Sequence, residues 1–185
     1  MEPEKLYTTA WLLNLIESGE APEFLLFWGH RAKPNTVTQA CFSQWWPSRF
    51  SVDGLTYETA EHWMMAHKAK LFGADEIFSK ILANPDPGAA KGLGRQVQNF
   101  DANKWDENKL NIVIEGNLHK FKQNEDLKDF LLATRGKVLV EASPVDAIWG
   151  IGLARDHEDA LSPTKWRGPN LLGYALMTVR DMLEV

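Results

Sequence analysis

The chain has 185 residues and a mass of 21.0 kDa, within the ~100–200 residues of a typical single domain. That length buries roughly 70% of the unfolded chain's surface, so a core forms without disulfide or metal staples. Twenty Lys plus Arg against 25 Asp plus Glu leave a net charge of -5, which argues against a protein held to nucleic acid by phosphate charge. The composition stands out in its eight Trp, beside nine Phe and three Tyr. The single cysteine, Cys41, excludes an intramolecular disulfide and points to a reducing compartment. Met1-Glu2-Pro3-Glu4-Lys5 lacks the basic and apolar regions of a signal peptide. No apolar run approaches the ~20 residues of a membrane span. A cytoplasmic location is expected.

Apolar residues at helical spacing predict a first helix over Pro3 to Glu17, stopped by Ser18-Gly19. From Phe24 to Leu55, short apolar clusters broken by Gly29, Pro34, Asn35, Pro47 and Gly54 suit short strands and loops. Thr56-Tyr57-Glu58-Thr59 reads as a capping segment, with Thr56 at its head and Glu58 in the first turn of a helix that ends at Gly73. Helices follow over Ala74 to Ala83, Gly88 to Leu93, Asn103 to Lys122 and Glu125 to Thr134, with Asn124 placed to cap the last of these. Lys137 to Ala142 is the clearest strand. A long polar loop, Ser143 to Pro169, leads to a final helix over Leu171 to Leu183, with Asn170 as its cap. No repeat, low-complexity tract or linker interrupts the chain. The pattern is mainly α, an α+β mixture with a few short strands in one compact domain. An N-terminal helical extension over residues 1–20 packs on a body over residues 21–185.

Two acids stand out. Glu61 lies in a helix beside Trp63, Met64 and Met65, with Lys68 two turns on along the same face. Burial would raise its carboxyl pKa and a nearby Lys would lower it; the alternative is a solvated acid on an amphipathic helix. Asp146 follows the best strand, in Asp146-Ala147-Ile148-Trp149-Gly150-Ile151-Gly152. Gly150 and Gly152 let backbone N–H groups approach a ligand, and Trp149 offers a flat face. Equally, Asp146 is a turn residue or a helix cap. Trp105 is either a stacking platform or a helix–helix contact. Arg95, closing Gly92-Leu93-Gly94-Arg95, binds phosphate or sits in a surface ion pair. Metal and nucleophile readings are weak. His62 and His67 are five apart, where two ligands on one helix face need a step of four, and Cys41 has no visible His partner.

Taken in order, several segments resemble the YbiA-like, or NADAR, domain family. They are Tyr57-Glu58-Thr59-Ala60-Glu61-His62-Trp63 continuing to Lys68, then Lys91-Gly92-Leu93-Gly94-Arg95, Trp105 and Lys120-Phe121-Lys122-Gln123-Asn124. Leu139-Val140-Glu141-Ala142-Ser143-Pro144 with Asp146 and Trp149-Gly150-Ile151-Gly152 follow, then Trp166-Arg167-Gly168 and Asn170-Leu171-Leu172-Gly173. The likeness covers about residues 24 to 183 and leaves out the N-terminal helix. One departure is Ser43-Gln44-Trp45-Trp46-Pro47, where the family often has Ser-Asn-Phe before its Pro.

The resemblance implies a mainly helical domain with a pocket for a ribosylated base, no metal and no cofactor. It implies hydrolysis of an N-glycosidic bond, in YbiA-type members that of phosphorylated ribosylamino-pyrimidine intermediates of riboflavin synthesis. Others in the superfamily handle ADP-ribose or NAD-derived groups, so the competing expectation is a domain that binds ADP-ribose or removes it from a macromolecule. By the same likeness, Glu61 and Asp146 are the catalytic acids. Trp105 and Trp149 are aromatic walls, and Lys68, Arg95, Ser43, Asn170, Gly150 and Gly152 lie on the substrate side. The expected partner is a small ribosylated-base or ADP-ribose-type molecule, with neither membrane nor nucleic acid. Trp11 and Trp63 read as core, whereas Trp28, Trp45, Trp46, Trp149 and Trp166 fall in irregular segments from which pocket walls are drawn.

Overall fold

The computed structural model describes residues 7–184 apart from residues 32 and 34, so the Pro3–Leu6 part of the expected first helix lies outside the described residues. Helices dominate, as the periodicity predicts. The chain forms two units: residues 1–43 with 128–185, and residues 44–127.

In the first unit, α1 (Thr9–Glu17) starts at Thr8, whose side chain accepts the Trp11 N–H. Strands β1 (Glu23–Phe27) and β4 (Lys137–Glu141) pair in parallel, Glu23 opposite Lys137 and Phe27 opposite Glu141. Both read as short apolar runs, as strands covered on their faces do. Helix α7 (Leu171–Leu183) packs on β4. Gly173 makes this approach possible, since a Cβ there would stand 2.1 Å from the Leu139 carbonyl oxygen. Leu12, Phe27, Phe42, Leu139, Val140, Leu172 and Leu176 are buried. Phe42 closes the short 3-10 turn Gln39–Phe42, its ring meeting Phe27 and Phe130 at 5.4 and 5.5 Å.

The second unit opens with a hairpin, β2 (Phe50–Val52) against β3 (Leu55–Tyr57). Asp53 and Gly54 turn it, both at positive φ (51° and 78°), as a tight right-twisted hairpin requires. Then come α2 (Ala60–Leu71), α3 (Asp75–Ala83), α4 (Pro87–Gly94) and α5 (Ala102–Gln123), with α2 packed on each of the other three. This central position explains why eight of its twelve residues, Glu61 and His62 among them, are buried. Helix α6 (Glu125–Leu132) carries the chain back to the first unit.

The ends of the helices differ from expectation at Thr56, Glu58 and Asn170. Thr59, not Thr56, caps α2: its hydroxyl accepts the His62 N–H, whereas Thr56 belongs to β3. The first-turn acid is therefore Glu61, and Glu58 instead meets Arg49 at 2.8 Å. Asn124 turns its amide back to the Lys120 carbonyl (2.8 Å) and to that of Arg49 (3.3 Å). Asn170 stands at the α7 N-cap position but makes no side-chain cap bond.

Candidate functional site

In the second unit, Glu61 sits in the first turn of α2, 3% exposed. A negative charge at this position lies where the helix dipole favours it. Its backbone N–H donates to the Gln44 carbonyl (2.9 Å), so an otherwise orphaned donor of the first turn is satisfied. His62, 1% exposed, has Nε2 at 2.7 Å from the Asn84 carbonyl and Nδ1 at 2.8 Å from the Thr59 hydroxyl. A carbonyl only accepts, so Nε2 carries the proton and Nδ1 receives the Thr59 hydroxyl. Burial pushes the His62 pKa down. A neutral, fully bonded His62 therefore locks the turn that carries Glu61.

Two turns on, the Lys68 ammonium lies 4.5 Å from the Phe100 ring centre and 5.6 Å from that of Trp105. Burial first, and then the neighbouring Arg95 cation, pull the Lys68 pKa below the usual lysine value. Among the described residues, neither Lys68 nor Arg95 forms an ion pair. A half-buried Lys68 beside a second cation favours an anion, and two ring faces help to hold its ammonium until one arrives. Phe100 is 47% exposed and packs on Phe72 at 5.3 Å. Asn99, before it, adopts a left-handed conformation (φ 54°) that Asn tolerates better than most residues. The structure thus brings Lys68, Arg95 and Trp105 together, as the sequence reading requires, and adds Phe100.

In the first unit, Asp146 Oδ1 accepts the N–H groups of Ile148 (2.9 Å) and Trp149 (2.8 Å). One carboxylate oxygen is therefore spent on the turn, the blander of the two readings, and Oδ2 is what remains for a ligand. Gly150 and Gly152 also serve the loop. The Ile151 N–H donates to the Glu141 carbonyl and that of Gly152 to the Asp146 carbonyl, each at 3.0 Å. A Cβ at Gly150 would lie 2.7 Å from the Glu141 carbonyl oxygen, one at Gly168 only 2.3 Å from that of Gly150, and Gly152 has φ 68°. Close backbone approach is indeed why these glycines are there, but the approach is of chain to chain. Asn170 is fully buried, with Oδ1 accepting from Glu141 N–H and Nδ2 donating to the Leu139 carbonyl, both at 2.9 Å. It clasps β4 to the start of α7. Ser43 ends the 3-10 turn, its N–H donating to the Ala40 carbonyl (3.1 Å).

Trp63 is core at 2% exposure, and Trp11, half-buried, meets Tyr7 edge-on at 4.7 Å. Trp166 donates its indole N–H to the Ala160 carbonyl (2.9 Å), and the Trp45 ring stands 5.9 Å from the Lys91 ammonium. Both are tied into their own units, whereas Trp28 is 54% exposed. Among the described residues, no three His, Cys, Asp or Glu side chains are placed to hold a metal. A cavity of about 500 Å³ bounded by Tyr7, Trp11, Arg180 and Asp181 contains none of the anticipated site residues.

Three features escaped the sequence reading. Phe100 sits in a loop with no motif. Lys120 is fully buried on α5, its ammonium 5.1 Å from the Phe121 ring centre, an uncommon place for a lysine. Gln44 and Asn117 form a buried amide pair (2.8 Å) across 73 residues of sequence.

The helical unit with its cation and aromatic cluster, and the glycine-built loop after a parallel strand, carry the motifs of a single family, and its model matches residues 26–184. The chain belongs to the NADAR domain family. An N-glycosidase of Acanthamoeba polyphaga mimivirus is 44% identical over 167 residues, 88% of this chain and 97% of the relative. Protein irg-1 of Caenorhabditis elegans is 37% identical over 131 residues, 70% of this chain and 62% of its own length. N-glycosidase YbiA of Escherichia coli is 31% identical over 140 residues, 76% of this chain and 78% of the relative. The NMR structure of YbiA matches with a TM-score of 0.71 at 27% identity, covering 89% of this chain and 87% of that one.

Proposed function

We propose that this protein is an N-glycosidase that hydrolyses the bond between a phosphorylated ribose and the nitrogen of a base. The observation that carries the anionic part is Lys68 beside Arg95, neither with an ion-pair partner among the described residues, and the Lys68 ammonium flanked by Phe100 and Trp105. The reaction type follows the names of the mimiviral and bacterial relatives. The particular substrate, a phosphorylated ribosylamino-pyrimidine of riboflavin synthesis, rests on the family resemblance. Cys41, the chain's single cysteine and buried, suits a reducing, cytoplasmic setting.

In this reading a water oxygen attacks the anomeric carbon as the carbon–nitrogen bond breaks. Positive charge builds on the sugar and negative charge on the base. Glu61 stabilises the first and takes the water's proton; the departing base nitrogen gains one proton, from the protonated Glu61 or from solvent, so that the ribosyl carbon gains OH and the nitrogen H. The free oxygen of Asp146 binds ribose hydroxyls, with Gly150, Gly152, Ser43 and Asn170 shaping its surroundings. Trp105 and Trp149 stack on the base, each contact worth ~0.5–1.5 kcal/mol beyond area burial. Lys68 and Arg95 hold the 5′-phosphate.

The test is release of ribose 5-phosphate from such substrates by Glu61→Gln and Asp146→Asn. Asparagine keeps the oxygen that accepts from Ile148 and Trp149, so the second change removes charge and spares the turn. Loss of turnover by about 10²–10⁴-fold is expected for Glu61→Gln, the range of a positioned proton acceptor. Near-normal turnover in both variants overturns the assignment. Calorimetry with ADP-ribose, giving heat but no product, would favour the binding-domain reading.

A further inference from the structure

Asn117 is wholly buried on α5, and its Nδ2 donates both to the Val113 carbonyl (2.9 Å) and to Gln44 Oε1 (2.8 Å). The Val113 carbonyl can only accept, so it sets the orientation of the Asn117 amide, and the Gln44 atom facing Asn117 must be the oxygen. Gln44 Nε2 is thereby turned away with both N–H groups. Among the described residues, neither Gln44 Nε2 nor Asn117 Oδ1 has a hydrogen-bond partner, although both are buried. An unmet buried polar group costs about 1–3 kcal/mol, and native folds leave few of them without a reason. The backbone of the same residue binds the Glu61 N–H, so Gln44 is fixed beside the start of α2.

We propose that Gln44 is a substrate-binding residue: its side-chain amide donates a hydrogen bond to an oxygen acceptor of the ligand at the Glu61 end of α2, with Asn117 as its positioning residue. A neutral donor suits this place. It orients an uncharged carbonyl or hydroxyl without competing with the carboxylate of Glu61 for a proton. An amide one methylene shorter at this place would carry the donor less far towards the ligand. This rests on the glycosidase reading for its ligand, but not for its energetics.

The experiment compares Gln44→Leu, Gln44→Asn and the double variant Gln44→Leu/Asn117→Leu. Replacing both amides by apolar groups removes the unmet polar atoms, so the double variant is expected to unfold at the same or higher urea concentration than the parent. Its kcat/KM for the phosphorylated N-riboside is expected to fall by about 10–100-fold, as for the loss of a hydrogen bond to a buried group of the substrate. Gln44→Asn keeps the amide one methylene shorter and should recover part of the loss. A double variant that unfolds at clearly lower urea, or a Gln44→Leu variant with parental kcat/KM, overturns the proposal. Failure of the glycosidase reading looks different: the parent itself releases no product, while the stability order of the variants still reports whether the pair is held against the fold's interest.

Discussion

Lys68 is the residue whose charge state decides most. Its pKa is lowered by burial and by Arg95, so the ammonium gives up its proton at a lower pH than an ordinary lysine. An anion bound there is held fully below that lowered pKa and released as pH rises through it. Calorimetry with ribose 5-phosphate should show affinity declining on the alkaline side before pH reaches the ordinary lysine value of about 10.4. Lys68→Arg, charged throughout, should remove the decline. A pH-independent affinity in the parent would show that Lys68 does not carry the anion. Lys68, Arg95 and Trp105 were marked in the sequence by the likeness to the family's motifs rather than by spacing alone. Phe100 was not, because a lone aromatic after a polar loop gives no sign of which ring or cation it will meet. Gln44 was marked by its departure from the family's Ser-Asn-Phe, but not its burial against Asn117, since nothing local says that an amide beside two tryptophans will be buried.

Among the elements, α2 is packed on three helices, and its glycine contacts divide into two kinds. A Cβ at Gly116 of α5 would fall 2.3 Å from Trp63 Cδ1, on an indole already tied to the Ile112 carbonyl at 2.9 Å. Gly116→Ala should therefore cost about 1–3 kcal/mol in urea unfolding, as overpacking a rigid core does. At Gly94 of α4 the obstacle is Met65 Sδ at 2.1 Å, a side chain that can rearrange, so Gly94→Ala should cost clearly less. The opposite ranking would contradict this account. His62 and His67 both have pKa values lowered, chiefly by burial. In the window between those lowered values and about 6.5, the unfolded chain binds more protons than the native one, so stability falls as pH drops below about 6.5. Urea midpoints at pH 7.5 and 5.5 should differ in that direction, and less so in His62→Gln. These helices were legible because apolar period, caps and Gly or Pro stops agree locally. The Thr56 cap misled because a threonine in a strand end and one at a helix start look alike until β3 is seen to pair with β2.

For the whole molecule, α1 precedes the residues that the family model matches, yet Leu12 is fully buried in the first unit and the Tyr7 hydroxyl donates to Asp181 at 2.6 Å. Removing residues 1–18 should cost about 2–5 kcal/mol for the lost leucine alone, read as a lower thermal midpoint; an unchanged midpoint would mean that α1 is dispensable to the fold. The β1–β4 pairing was beyond local reading. Each strand carries its own apolar run, but Glu23 and Lys137 meet across 114 residues, and nothing in either run names the other.

That pairing orders events during synthesis. The second unit is one continuous stretch, residues 44–127, set between the two stretches of the first. Its hairpin and its packed helices α2 to α5 are complete in sequence once about residue 127 has left the ribosome. β1, by contrast, waits as an open edge until β4 emerges. Long-range closure of this kind is slow and leaves a transient surface for misassociation. The nascent chain is thus most vulnerable in the interval between completing one unit and beginning to close the other.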